Sequence, residues 1–274
     1  MIPTVVFLYG LAIGSFLNVC IHRLPRGESI VRPRSRCPQC EHSIAAYDNI
    51  PLVSYLLLGG KCRHCRARIS PLYFLVEFAT GLLFLWLYTR YGLDNYFAKY
   101  AVFGALLLVL AVTDWQERLL PDRVTFPGMA LGLGFSLLVP IADGTVWLLF
   151  RGAGWEPLPL AVESLLESSL GALVGGGSLF IVGELYFRLR GREGMGFGDV
   201  KMMALVGFFL GPKLALLTIF LAALGGSLLG GLFILVFRRG SQYELPFGSF
   251  LGVAALAAAL WGRPLLDWYL GYWG

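Results

Sequence analysis

The chain has 274 residues, 57% of them hydrophobic and only 14% charged, with a formal net charge of +5. Soluble domains run at about 45–50% apolar and about 25% charged. The composition therefore excludes a disordered chain, a collagen-like fibre and a coiled coil, and leaves little room for a soluble enzyme. The apolar residues fall in blocks of membrane-crossing length, which predicts an all-α, multi-pass integral membrane protein.

Eight apolar segments follow one another at 3–21, 72–91, 97–113, 124–141, 165–187, 200–210, 213–237 and 246–261. About 20 residues are needed to cross the hydrocarbon. The sixth segment is too short for that, and is expected to begin within the membrane or in a protein-lined cavity. The first segment lacks a basic start and reads as a retained helix rather than a cleaved signal. With the N-terminus outside and eight crossings, loops 22–71, 114–123, 188–201 and 238–245 lie inside and hold 17 of the 22 Lys and Arg residues. That asymmetry sets the orientation, because basic loops stay in the cytoplasm. It also accounts for the positive charge without a nucleic-acid partner.

After the first helix (residues 1–21) comes the only soluble piece large enough to fold by itself, residues 22–71. About 50 residues build no secure core without a staple. Cys37-Pro-Gln-Cys40 and Cys62-Arg-His-Cys65 stand 21 residues apart in this loop, slightly beyond the usual spacing of about 15–20 for paired zinc knuckles. In a reducing compartment four thiolates hold zinc rather than forming disulfides. A saturated four-thiolate site leaves no place for water, so zinc at Cys37, Cys40, Cys62 and Cys65 is expected to be structural. The competing readings are redox CxxC pairs, or His42 or His64 in place of one cysteine. Cys20 is expected to be a packed free thiol. No convincing sequence repeat is present.

The rest of the chain, residues 72–274, is predicted to be a helical membrane domain. Its loop 142–164 reads as an irregular outside connection. The Gly175-Gly176-Gly177 run reads as a close helix contact rather than a phosphate loop.

Carboxylates at the edges of apolar runs are expensive and are functional candidates by default. They are Glu77, Asp114, Glu184 and Asp199. The topology places Asp114 and Asp199 on the same cytoplasmic face. Two aspartates from distant segments at one membrane surface point to an aspartyl protease dyad, which shares a proton because both groups cannot easily ionise. One carboxylate then serves as general base toward a water, and the other hydrogen-bonds the scissile carbonyl. The alternative for Asp199, after Gly196-Phe197-Gly198, is a helix N-cap. Asp122, after Pro121, reads mainly as a cap.

These residues together resemble the type IV prepilin peptidases, the prepilin leader peptidase/N-methyltransferases of the GxGD aspartyl protease type. The similarity runs through most of the chain. It rests on Gly14-Ser15-Phe16-Leu17-Asn18-Val19 with Arg23-Leu24-Pro25, the four cysteines, the D-x6-P-D element from Asp114 to Asp122, the GxGD element with its flanks from Gly191 to Lys201, and Pro246-Phe247-Gly248. The resemblance implies cleavage of the basic leader of type IV prepilins or type II secretion pseudopilins after a glycine, in the bacterial cytoplasmic (inner) membrane. Asp114 and Asp199 match the catalytic pair, with the active site facing the cytoplasm. It further implies N-methylation of the new N-terminal residue with S-adenosylmethionine, since short, peptidase-only relatives lack the cysteine loop. No GxGxxG follows a strand, so no Rossmann-type cofactor site is legible. Gly60 and Lys61 beside Cys62 are the candidates for cofactor approach, against a plain tight turn into the knuckle. The separation of 85 positions between Asp114 and Asp199 is longer than the family pattern, and the excess fits in loop 142–164.

Two other classes compete. A proton- or ion-coupled transporter would use the aspartates as ion ligands, but predicts broken helices in matched repeats, and none is evident. A membrane-tethered zinc module that only binds a partner would not need both aspartates.

Overall fold

A computed structural model describes the chain except at positions 142, 153, 155, 157, 193, 238–245 and 272–274. The expected inside loop 238–245 and Glu193 therefore lie outside the described residues. The fold is helical: α1 (Ile2–Arg23), α2 (Val53–Leu57), α3 (Pro71–Tyr91), α4 (Asn95–Glu117), α5 (Asp122–Leu138), α6 (Thr145–Gly152), α7 (Leu160–Arg190), α8 (Phe197–Leu210), α9 (Pro212–Phe237) and α10 (Phe247–Gly271), with a 3-10 turn at Ala46–Asn49. Each of the eight apolar segments is a helix. Among the described residues, six helices are long and apolar enough to cross a membrane: α1, α3, α4, α7, α9 and α10. Helix α5 has 17 residues and α8 has 14, rising about 26 and 21 Å at 1.5 Å per residue.

The chain divides into two compact units, Met1–Val109 and Leu110–Gly274. In the first, α1 packs on α3. Gly10 and Gly14 make this contact possible: a methyl group at Gly10 would lie 2.9 Å from the Gly81 Cα, and one at Gly14 would lie 2.7 Å from the Glu77 Cα. Small residues four apart let helix backbones approach in this way. Asn18 donates to the Tyr73 carbonyl at 2.9 Å. Arg23 is buried and gathers the start of the following loop, donating to the carbonyls of Ser29 and Pro33.

In the second unit α8 is central, packed by α5, α7, α9 and α10. Met202, Met203, Leu205 and Val206 have no exposed surface, so this short helix is lined by protein as its length requires. Gly171 and Gly207 sit backbone to backbone; a methyl group at Gly207 would lie 2.1 Å from the Gly171 carbonyl oxygen. Gly175 and Gly176 meet α8 at Met203 and Val200 in the same way, while Gly177 faces open space. The glycine run is thus a helix contact.

Loop 142–164 departs from the sequence reading. It is not irregular throughout, because it contains α6, held to α7 where Glu167 Oε1 accepts the Val146 N–H at 2.8 Å. An eight-residue apolar stretch beside Gly and Pro carries too little periodicity to announce such a helix. Asp143 anchors the loop, accepting the Lys213 N–H at 2.8 Å.

Candidate functional site

In the second unit, Asp114 lies near the end of α4 and Asp199 in the first turn of α8. Both are buried, at 7% and 8% exposure. They converge on Gly248, in the first turn of α10: a methyl group there would lie 3.0 Å from Asp114 Cγ and 3.1 Å from Asp199 Oδ1. The absence of a side chain at Gly248 is what leaves the two carboxylates facing one point. Ser249 then holds Asp114. Its N–H donates to Oδ2 at 2.6 Å, and its hydroxyl shares one hydrogen between the Ala111 carbonyl at 2.8 Å and the same Oδ2 at 3.0 Å.

Asp199 is not a helix cap. The N-cap of α8 is Gly196, with extended backbone, and the Asp199 N–H bonds the Gly196 carbonyl. Gly198 admits Leu120, whose side chain would lie 3.1 Å from a methyl group at that position. This contact and the Lys201–Asp122 ion pair join the D-x6-P-D and GxGD elements. The N-cap of α5 is Pro121, and Asp122, in the first turn, pairs with Lys201. Glu184 pairs with Arg188 one turn along α7, and Glu77 accepts the Leu52 N–H at 2.8 Å. Neither joins the aspartates. A buried carboxylate pair is an arrangement suited to general acid–base hydrolysis.

In the first unit the Sγ atoms of Cys37, Cys40, Cys62 and Cys65 lie within 4.8 Å of one another. The Cys37–Cys65 separation is 3.8 Å. That is the edge of a tetrahedron with metal–sulfur bonds of about 2.3 Å, and far beyond the roughly 2.05 Å of a disulfide. The donor set and spacing fit zinc. The Cys62 thiol is held down to about 7, chiefly by the N–H groups of Cys65 and His64, while Cys65 beside it is pushed up to about 11 by desolvation and the neighbouring thiols, so the cluster favours one thiolate first.

The two knuckles share one geometry. Cys37 N–H bonds the His42 carbonyl and Cys62 N–H bonds the Ala67 carbonyl, and isolated bridges pair Arg36 with Ser43 and Lys61 with Arg68. Glu41 and Arg66, each following a second cysteine, have positive φ of 56° and 59°. This local duplication escaped sequence reading because the two stretches share little beyond their cysteines. The His42 and His64 rings lie 3.6 Å apart by centroids and tilted at 40°, outside the sulfur set. Cys20 is a buried free thiol.

Of the two cofactor candidates, Lys61 is exposed. Gly60 has φ of 66° and abuts Tyr55, whose Oη would lie 2.9 Å from a methyl group there. Ser249 was missed in the sequence, where it is one hydroxyl at the head of an apolar run.

Residues 8–91 match the bacterial peptidase A24 N-terminal domain, and residues 101–235 match the type IV leader peptidase family. A protein of Pseudomonas aeruginosa, called prepilin leader peptidase/N-methyltransferase, is 35% identical over 97% of this chain and 93% of its own length. Proteins of the same name from Aeromonas salmonicida and Burkholderia pseudomallei are 35% and 33% identical, over 97% and 93% of this chain and 93% and 84% of their own lengths. No solved structure matches the chain significantly.

Proposed function

The chain belongs to the type IV leader peptidase family, and on that premise we propose a membrane enzyme with two activities. It cuts the basic leader from type IV prepilins or type II secretion pseudopilins after a glycine. It then N-methylates the new N-terminal residue with S-adenosylmethionine. Relatives matching nearly end to end carry both activities in their shared name, and none of these is a transporter. The observation that carries the cleavage is the convergence of Asp114 and Asp199 at Gly248.

Asp114 and Asp199 are the catalytic pair. Oδ2 of Asp114 accepts the Ser249 N–H, so Asp114 is the carboxylate that takes the proton of the attacking water. Asp199 holds the shared proton against the scissile carbonyl oxygen. As the water oxygen bonds the carbonyl carbon, negative charge on that oxygen is met by the Asp199 proton. The C–N bond then breaks, and a proton passes to the leaving amine, which is the group to be methylated. A prepilin helix lying in the bilayer presents its cleavage site at the membrane edge, so confinement orients the peptide before any pocket does.

Helices α1, α3, α4, α5, α7, α8, α9 and α10 supply the eight crossings. The N-terminus lies outside, and the aspartates face the cytoplasm of the inner membrane. Three parts follow: a first helix at 1–21, a cytoplasmic zinc loop at 22–71 and a peptidase domain at 72–274. Cys37, Cys40, Cys62 and Cys65 hold structural zinc, which when bound locks the two knuckles and leaves no water position. The Gly60–Lys61 turn is the side from which the cofactor approaches. When bound, S-adenosylmethionine would supply an electrophilic methyl group.

The test is to incubate the purified, zinc-loaded chain with a synthetic prepilin and S-adenosylmethionine, and to read the product by intact mass. A shortened chain with one methyl group is expected. Uncut prepilin in the presence of folded protein would overturn the assignment.

A further inference from the structure

The stretch from Arg23 to Arg68 carries nine of the chain's 22 Lys and Arg residues, yet the twelve residues from Asn49 to Gly60 hold no charge at all. An apolar run of that length is too short to cross a bilayer, and reads as a buried core helix or an interfacial segment. It is not core. In α2, Leu56 is 66% exposed and Leu57 81%, and Val53 is exposed with them. These three stand at steps of three and four residues, which share one helix face. The opposite side of α2 is tied down. Buried Ser54 donates to the Tyr47 carbonyl at 2.9 Å, and the Tyr55 hydroxyl donates to the Ile69 carbonyl at 3.4 Å.

The depth of α2 follows from α3. Helix α3 has 21 residues, about 31 Å at 1.5 Å per residue, which matches a hydrocarbon layer about 30 Å thick. Glu77 lies in its second turn, about 9 Å from the start at Pro71. Glu77 accepts the Leu52 N–H at 2.8 Å, so α2 begins beside α3 and not beyond its end. Rings continue the link. Tyr55 lies 5.6 Å from Phe74 by centroids, and Phe74 stacks on Phe78 at 6.0 Å. Phe78 belongs with Leu75 and Leu82 to the exposed apolar side of α3. The exposed face of α2 is thereby joined to the surface that a spanning α3 turns to lipid. Charges gather only at the ends of the run. Arg63 neutralises Asp48, donating to its oxygens at 2.8 and 2.5 Å. Lys61, Arg66 and Arg68 follow, all exposed. Cations beside an apolar insert meet anionic headgroups.

We propose that α2 is a membrane foot for the zinc loop. Val53, Leu56 and Leu57 enter the acyl chains of the leaflet on the loop's side, and the basic knuckle of Cys62 and Cys65 rests at the headgroups. The occupant of the exposed face is phospholipid. The loop is then held against the bilayer surface, and is not a free cytoplasmic module. The inference rests on the crossing of α3 proposed above, and on neither enzymatic activity.

The experiment uses the full, zinc-loaded chain in nanodiscs of phosphatidylethanolamine and phosphatidylglycerol. The photocrosslinking residue p-benzoylphenylalanine replaces Leu57 in one protein and Leu82, on the exposed side of α3, in another, with zinc content as the check on folding. After irradiation, tandem mass spectrometry identifies each adduct and the carbon to which it is joined. Acyl-chain adducts are expected at both positions, with the yield at Leu57 within about threefold of that at Leu82. Acyl-chain adducts at Leu82 but none at Leu57 would overturn the foot and leave the crossing of α3 standing. Crosslinks from Leu57 to residues 110–274, or to a second copy of the chain, would also overturn it, because protein would then cover this face. Lipid adducts at neither position would overturn the crossing of α3, and the foot with it.

Discussion

The backbone N–H of Ser249 donates to Oδ2 of Asp114 at 2.6 Å, joining residues 135 positions apart. The Ser249 hydroxyl, 3.0 Å from the same oxygen, adds to that hold. Replacing Ser249 by Ala keeps the N–H and removes the hydroxyl. One such interaction is worth about 1 kcal/mol, so kcat/KM for leader cleavage should fall about fivefold. A steady-state assay on a fluorogenic prepilin peptide checks this, and an unchanged value would make the hydroxyl irrelevant to Asp114.

Gly248 is less forgiving. A single methyl group there would lie 3.0 Å from Asp114 Cγ and 3.1 Å from Asp199 Oδ1, so one or both carboxylates must move. Displacements of about 1 Å at reacting groups cost on the order of 100-fold. At these distances the carboxylates must give by a few tenths of an ångström, so Gly248→Ala should lower cleavage by less than that order, with zinc content and thermal midpoint retained. Wild-type cleavage by this variant would mean that the carboxylates do not face each other at this point.

The zinc reading predicts one metal ion per chain. Cys65→Ser should bring the zinc content, by inductively coupled plasma mass spectrometry, below about a tenth of wild type, because structural sites bind and fold together. Recovery of Cys37 and Cys65 as a disulfide in protein purified under reducing conditions would contradict it.

Glu41 and Arg66 adopt left-handed backbone at φ of 56° and 59°, a conformation costing about 1–2 kcal/mol outside glycine. Glu41→Gly and Arg66→Gly should each tighten zinc binding severalfold in a chelator competition, and Glu41→Val should weaken it. The opposite order would mean that these side chains, and not the backbone turn, matter to the knuckle.

The residues proposed to carry the chemistry were legible wherever the sequence paid a visible physical cost. Asp114 and Asp199 stand out because carboxylates beside apolar runs are costly, and the cysteines because their spacing has few other uses. Residues supplied by tertiary contact left no such trace. Ser249 reaches Asp114 across the unit, and nothing in its neighbours announces that. Asp122 looks like a cap until Lys201 arrives from 79 positions away. Helix α6 has too few residues for periodicity to separate it from a loop.

The central claim is that Asp114 and Asp199 act as one unit on one water. Single-turnover cleavage by Asp114→Asn, Asp199→Asn and the double variant tests it most directly, with zinc content as the check on folding. If the pair shares the work, each single variant should lose cleavage as completely as the double, since residues acting together are not additive. Either single variant cutting prepilin at near wild-type rate would contradict the account.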